Sequence, residues 1–140
     1  MFTYSKLAQS GIAAVSYLAA VSDESRLIGS AEIADSRELS HHLIAKVLTM
    51  LSRAGLVEGT RGPTGGYCLA RPAAEITLLD VVKVFEDAEA QVMCPFGPNW
   101  CGRGPHCPLH ETLVEMHHQA IMGLQQVTFT RFVSQAAIPS

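Results

Sequence analysis

This chain is poor in charge and in aromatic rings. Charged residues make up 16% of its 140 residues and aromatic ones 6%, with Trp100 the single tryptophan. The formal net charge is −3, so attraction of the whole surface to a polyanion is excluded as a driving force. No apolar run is long enough to span a membrane. No polar low-complexity tract and no internal repeat occur, and 48% of residues are apolar, which excludes a disordered chain and allows a real core. No Ser/His/Asp set or paired carboxylates stand out, so an enzyme reading has no residue to start from. His110-Glu111 opens like a zinc-protease motif, but Val114 stands where the second histidine is needed. The glycine loop Arg61–Gly66 lacks the Lys-Ser/Thr of a nucleotide loop and precedes a strand, which suits a hairpin tip.

The charge that exists is uneven. Residues 1–72 hold seven Lys/Arg against six Asp/Glu, while 73–140 hold three against seven. An anionic partner therefore belongs to the first half. Gly11–Val21 has the look of a signal peptide, but Ile12, Val15, Leu18 (or Ala19) and Val21 recur at near-helical spacing with Ser10, Ser16 and Ser22 interrupting. This predicts an amphipathic first helix and a cytoplasmic protein. Ser30 and Ser40 each precede a helical stretch as N-caps, with a tight turn at 36–39 between them. In the second stretch Leu43, Val47 (or the stem of Lys46), Met50 and Leu51 line one face, and Gly55 provides the left-handed stop. Two helices joined by so short a turn form a helix-turn-helix.

After Gly55 the apolar period changes to 2. Leu56–Gly59 and Tyr67–Ala70 read as strands around Arg61–Gly66, a hairpin that makes the helix-turn-helix a winged one. A basic residue on such a rigid loop suits the minor groove. Thr77 and Asp80 form a capping box for a helix through Val81, Val84 and Phe85. Pro108 opens a long helix with Leu109, Leu113, Met116, Ala120, Leu124 and Val127 on one stripe, which predicts a dimerisation helix; 128–133 form a short closing helix. The fold expected is mainly α with a small β-wing: a winged helix-turn-helix over 1–75, then a linker helix, a cysteine loop and a dimerisation helix over 76–140.

Between the last two helices lies Cys94-x6-Cys101-x5-Cys107-x2-His110. Six of residues 94–107 are Gly or Pro, so the backbone can converge the three sulfurs. Thiolates suit zinc or an iron–sulfur cluster. Cys107 and His110 lie three apart at a helix start, hence on one face. His106 is the weaker alternative, being adjacent to Cys107. His41-His42 and His117-His118 are adjacent pairs that point two ways on a helix, and the second pair reads as a solvated or dimer-packed face. Cys68 reads first as a plain strand residue, with an oxidant-sensing thiol beside DNA as the alternative.

Leu39–Val57 followed by Arg61–Arg71, Ile76–Val82, the cysteine loop and the long helix closely resembles the IscR/NsrR/RirA family of bacterial winged-helix regulators. The resemblance implies a homodimer on palindromic double-stranded operator DNA, in the role of a repressor, with an iron–sulfur cluster tuning the binding to iron, redox or nitric oxide status. Residue by residue, it places Ser40, His41, His42, Leu43 and Lys46 at the DNA-facing start of the recognition helix. It places Arg61, Gly62, Pro63 and Thr64 in the wing. The acidic net charge, by contrast, means that DNA is held only weakly, through Arg26, Arg37, Lys46, Arg53 and Arg61 rather than the whole surface. Cys94, Cys101 and Cys107 match the cluster cysteines, and His110 the histidine that completes a 2Fe–2S site in the IscR branch. The NsrR branch instead takes an aspartate from the partner's first helix for a 4Fe–4S cluster, and residues 1–22 here contain no Asp or Glu. That favours 2Fe–2S, although Cys-x6-Cys is one residue longer than the IscR spacing. A structural zinc in a Cys3His site is the alternative reading.

Overall fold

The computed structural model describes residues 4–87 and 108–133. The element order is α1 (Lys6–Ala20), α2 (Ser30–Arg37), α3 (His41–Arg53), β1 (Val57–Thr60), β2 (Gly66–Leu69), α4 (Leu78–Phe85) and α5 (His110–Gln126). Short 3₁₀ turns follow α1, β2 and α5. The mainly helical fold with a two-stranded antiparallel wing is the one the sequence predicts.

Helix α1 begins at Ser5, whose Oγ accepts from Ala8 N at 3.1 Å. It is not the one-sided amphipathic helix expected. Every residue from Ala14 to Ala20 is buried, as are Ser10 and Gly11, while Ile12 is only partly covered. The reason is size: Ala8, Ser10, Gly11 and Ala14 let α2, α3 and α4 close around α1. Ser16 does not break the apolar block, because its hydroxyl donates to Ala13 O at 2.7 Å inside the helix.

Local signals set the ends of the next helices. Gly29, not Ser30, occupies the N-cap of α2, and Ser30 is its first helical residue. The turn into α3 needs Glu38 at φ 54. Ser40 caps α3 as expected, accepting from Leu43 N at 3.3 Å. Gly55, at φ 80, ends α3 in a Schellman arrangement: Leu56 N donates to Leu51 O and Gly55 N to Ser52 O. The buried face of α3 is Ile44, Val47, Leu48 and Leu51. Leu43 and Met50, expected on that face, sit half-buried on its flanks.

In the wing, Val57 faces Leu69 and Thr60 faces Gly66, one residue later than expected for β1 and one earlier for β2. Ile28 adds a one-residue third rung, exchanging two hydrogen bonds with Tyr67 at 2.8 and 2.9 Å. Thr77 and Asp80 form the predicted reciprocal box, each bond 3.0 Å long. The C-terminal turn returns to α4, with Leu78 N donating to Val127 O and Phe129 N to Ile76 O. Ile76, Val81 and Phe129 therefore share one core with α1 and α3.

Helix α5 starts at His110, two residues after Pro108. Its second half docks on α4, Leu124 with Ala120 and Ile121 against Leu79 and Val82. The predicted stripe is split. Leu124 is buried, whereas Leu109 and Met116 are 44% and 54% exposed, because α4 is too short to cover the first half of α5. His117, expected on a solvated or dimer-packed face, is buried on the inward side instead.

A Cβ on Gly11 would collide with the Phe85 ring. Gly11→Ala is expected to lower stability by roughly 1–3 kcal/mol through overpacking. In a Phe85→Ala background the added cost should largely vanish, since the two sites share one contact. Urea denaturation of the four proteins checks this; strictly additive losses would contradict the packing.

Candidate nucleic-acid interface

Opposite the buried face of α3 lies an exposed stripe of His42, Ala45, Lys46 and Thr49, spaced i, i+3, i+4, i+7. Of the residues carried over from the resemblance, His42 and Lys46 belong to this stripe. Ser40 is exposed but its Oγ serves as the cap, and Leu43 is half-buried. His41, the first residue of α3, is exposed and tied by Nε2 to Asp35 Oδ1 at 2.7 Å. Ala45 and Thr49 were missed from sequence, although the helical spacing from His42 marks them. Thr49 Oγ1 donates back to Ala45 O at 3.1 Å.

The wing tip Arg61–Thr64 is exposed, and Gly65 N donates to Gly62 O at 2.9 Å to close the turn. Gly62 needs its φ of 111, and a Cβ on Gly65 would strike the Thr60 backbone, so both glycines are required by the turn itself. Arg61, Lys46 and Arg53 make no ion pair among the described residues.

Two of the expected phosphate-binding cations are otherwise engaged. Arg26 forks onto Glu32 with bonds of 2.9 and 2.8 Å and reaches Glu24 at 2.8 Å. Arg37 lies 5.0 Å over the Tyr17 ring and reaches Ser16 Oγ at 3.3 Å. Burial pushes the Arg37 guanidinium below its ordinary value. Of the five cations named from sequence, Lys46, Arg53 and Arg61 are without such engagement among the described residues.

A helix with an exposed polar stripe, followed at once by a basic hairpin, is the outline of a winged-helix reader. Residues 4–135 match the profile of Rrf2, described as an iron-dependent transcriptional regulator. The chain belongs to the Rrf2 family. A helix-turn-helix-type transcriptional regulator of Aquifex aeolicus is 32% identical over 118 residues, covering 83% of this chain and 81% of that protein. Protein aau3 of Rhizobium meliloti is 54% identical over 63 residues, which span 45% of this chain and 41%, less than half, of that relative. Among solved structures, CymR of B. subtilis superposes with a TM-score of 0.80 at 24% identity over 97% of both chains. T. potens IscR gives 0.73 at 23% identity over 91% of this chain and 83% of its own. These two share the Rrf2 fold. The family comprises DNA-binding transcriptional regulators, not enzymes.

The three loop cysteines Cys94, Cys101 and Cys107 lie outside the described residues; His110, half-buried, is the first residue of α5. Cys68 stands on β2 in the wall of a cleft of about 770 Å³ between the wing and the end of α1. No helix is long and apolar enough to cross a membrane among the described residues.

The Arg26 cluster ties the loop after α1 to α2, the first helix of the Rrf2 reading head. The Arg26 hydrogen bond, and after it that of the Tyr17 hydroxyl at 2.6 Å, holds the Glu32 carboxyl at about 2, below its ordinary 4.5. A depressed carboxylate contributes stability that is present above 4.5 and lost as pH falls through about 2. Glu32→Gln is expected to be less stable than wild type at neutral pH, with the gap closing across that window. Denaturant midpoints taken down the pH scale test it; a constant gap would contradict the assignment.

Proposed function

We propose that this Rrf2 regulator binds palindromic operator DNA as a cytoplasmic homodimer and acts as a repressor whose affinity is set by an iron–sulfur cluster. The observation that carries the DNA reading is the exposed stripe of α3 beside a wing whose Arg61 is unpaired among the described residues. The helix N-terminus reaches base edges in the major groove, while Arg61, stiffened by Pro63, enters the adjoining minor groove. Dimer symmetry places the half-sites about one helical turn, roughly 10 base pairs, apart. With so few free cations among the described residues, sequence-independent affinity is low and its salt dependence is shallow.

The donor set supports the cluster. Three thiols and the His110 imidazole fit a 2Fe–2S site in which a histidine replaces a cysteine, and an iron-dependent family favours iron over zinc. When bound, the cluster supplies a centre whose charge and integrity answer to iron and oxidants. His110 heads α5, so whatever anchors the loop there also fixes the start of that helix. Anaerobically purified protein is expected to absorb in the visible with matched iron and sulfide. Alanine at Cys94, Cys101 or Cys107 should abolish the absorption, and His110→Ala should leave a more labile centre. Colourless protein holding one zinc per chain would establish the structural-zinc reading instead.

The uncovered first half of α5 supports the dimer. Leu109, Val114 and Met116 are exposed there, and no residue from His110 to Met116 is buried. A second copy of this helix is the simplest cover for that face. Met116→Glu, already at an exposed position, is expected to give folded monomers by light scattering and to lose operator binding. Wild-type protein that is monomeric at micromolar concentration would rule the dimer out.

A further inference from the structure

We propose that Asp35 is a specificity-determining residue that reads an amine-bearing base, cytosine or adenine, with His41 holding it in place. This rests on the operator-reading function proposed above. Asp35 lies in the last turn and a half of α2, and its carboxylate is 2.7 Å from His41 at the first residue of the recognition helix. Both side chains are open to solvent, Asp35 at 73% and His41 at 61%. A pair this exposed contributes little to folding. A carboxylate at the DNA-facing end of a regulator also opposes the phosphates. Its place beside the base-reading end of α3 points to recognition rather than stability.

The chemistry decides which base. A carboxylate accepts hydrogen bonds, so Nε2 of His41 carries the proton and donates it to Oδ1. In the neutral ring Nδ1 is then an acceptor. The second oxygen, Oδ2, has no hydrogen-bond partner among the described residues. The pair therefore offers acceptors outward. In the major groove the complementary donors are the N4 amine of cytosine and the N6 amine of adenine, whereas guanine and thymine present O6, N7 or O4 acceptors that repel it. The carboxylate thus acts in two senses: it rewards the right base, and it penalises every duplex by its negative charge near phosphate.

The test is selection from a 30-base-pair random duplex library by the full dimeric protein, followed by titration of the selected duplex and a shuffled one. Wild type is expected to enrich cytosine or adenine at one position of each half-site. Asp35→Ala should lose that preference, bind the shuffled duplex several-fold more tightly, and lower the selected-to-shuffled ratio on the order of tenfold. Asp35→Asn keeps the shape but can turn an amide N–H outward, so the preference should move toward guanine or thymine. His41→Ala should blunt the preference without raising shuffled binding as far. The proposal is overturned if both Asp35 variants keep the wild-type base distribution. It is equally overturned if Asp35→Ala weakens selected and shuffled duplexes alike, which is the mark of a structural role. A wild type that enriches no sequence overturns operator reading itself, a different failure from an enriched operator indifferent to Asp35.

Discussion

The close approach that α1 permits is the constraint on which the rest of the molecule depends. Its small residues let α2, α3 and α4 pack against one helix at once, and Gly11 leaves room for the Phe85 ring. A bulkier α1 would hold those helices apart and open gaps in the shared core, where packing losses are felt at the scale of single methylenes. Because α3 lies on α1 through Ile44, Val47, Leu48 and Leu51, its opposite stripe is turned outward as a matter of geometry. The wing follows from the same placement, since Ile28, immediately before α2, is hydrogen-bonded to Tyr67 of β2. The reading head is thus oriented by the core rather than by any contact on its own surface.

That arrangement uses some of the scarce positive charge internally. Arg26 and Arg37 both meet Tyr17, one bound to Glu32 that the Tyr17 hydroxyl also reaches, the other stacked on its ring. This cluster bridges α1, α2 and the loop between them. What it withdraws from phosphate contact it returns as rigidity of the helix that precedes the recognition helix. With two guanidiniums engaged internally and a net charge of −3, the chain offers little general electrostatic hold on DNA.

What was legible in the sequence was local. Ser40, Gly55 and the Thr77–Asp80 box act over three or four residues, so their roles could be read without knowing what lies across the core. The cap of α2 was misplaced by one residue because Gly29 and Ser30 are both acceptable there. The surroundings of α1 were not legible: a run of Ala, Ser and Gly fits a one-sided helix as well as an encircled one, and tertiary packing decides between them. Pairings across turns were equally hidden, Arg26 with Glu32 and Asp35 with His41, since both depend on how neighbouring elements meet. For the candidate cluster site, spacing suggests a ligand set whose three sulfurs lie outside the described residues.

Helix α5 shows why burial and stripe diverge. A continuous apolar stripe predicts a continuous partner, yet α4 spans eight residues, Leu78–Phe85, and α5 spans seventeen. An eight-residue helix is about 12 Å long and a seventeen-residue one about 25 Å, so one intramolecular neighbour covers half of α5. Leu124 takes that half, and the face around Leu109 and Met116 stays exposed in the single chain. His110 heads that uncovered half, and His117 marks the point at which the helix begins to be buried. His110, the one member of the candidate ligand set among the described residues, therefore stands at the opposite end of α5 from the half that packs on α4.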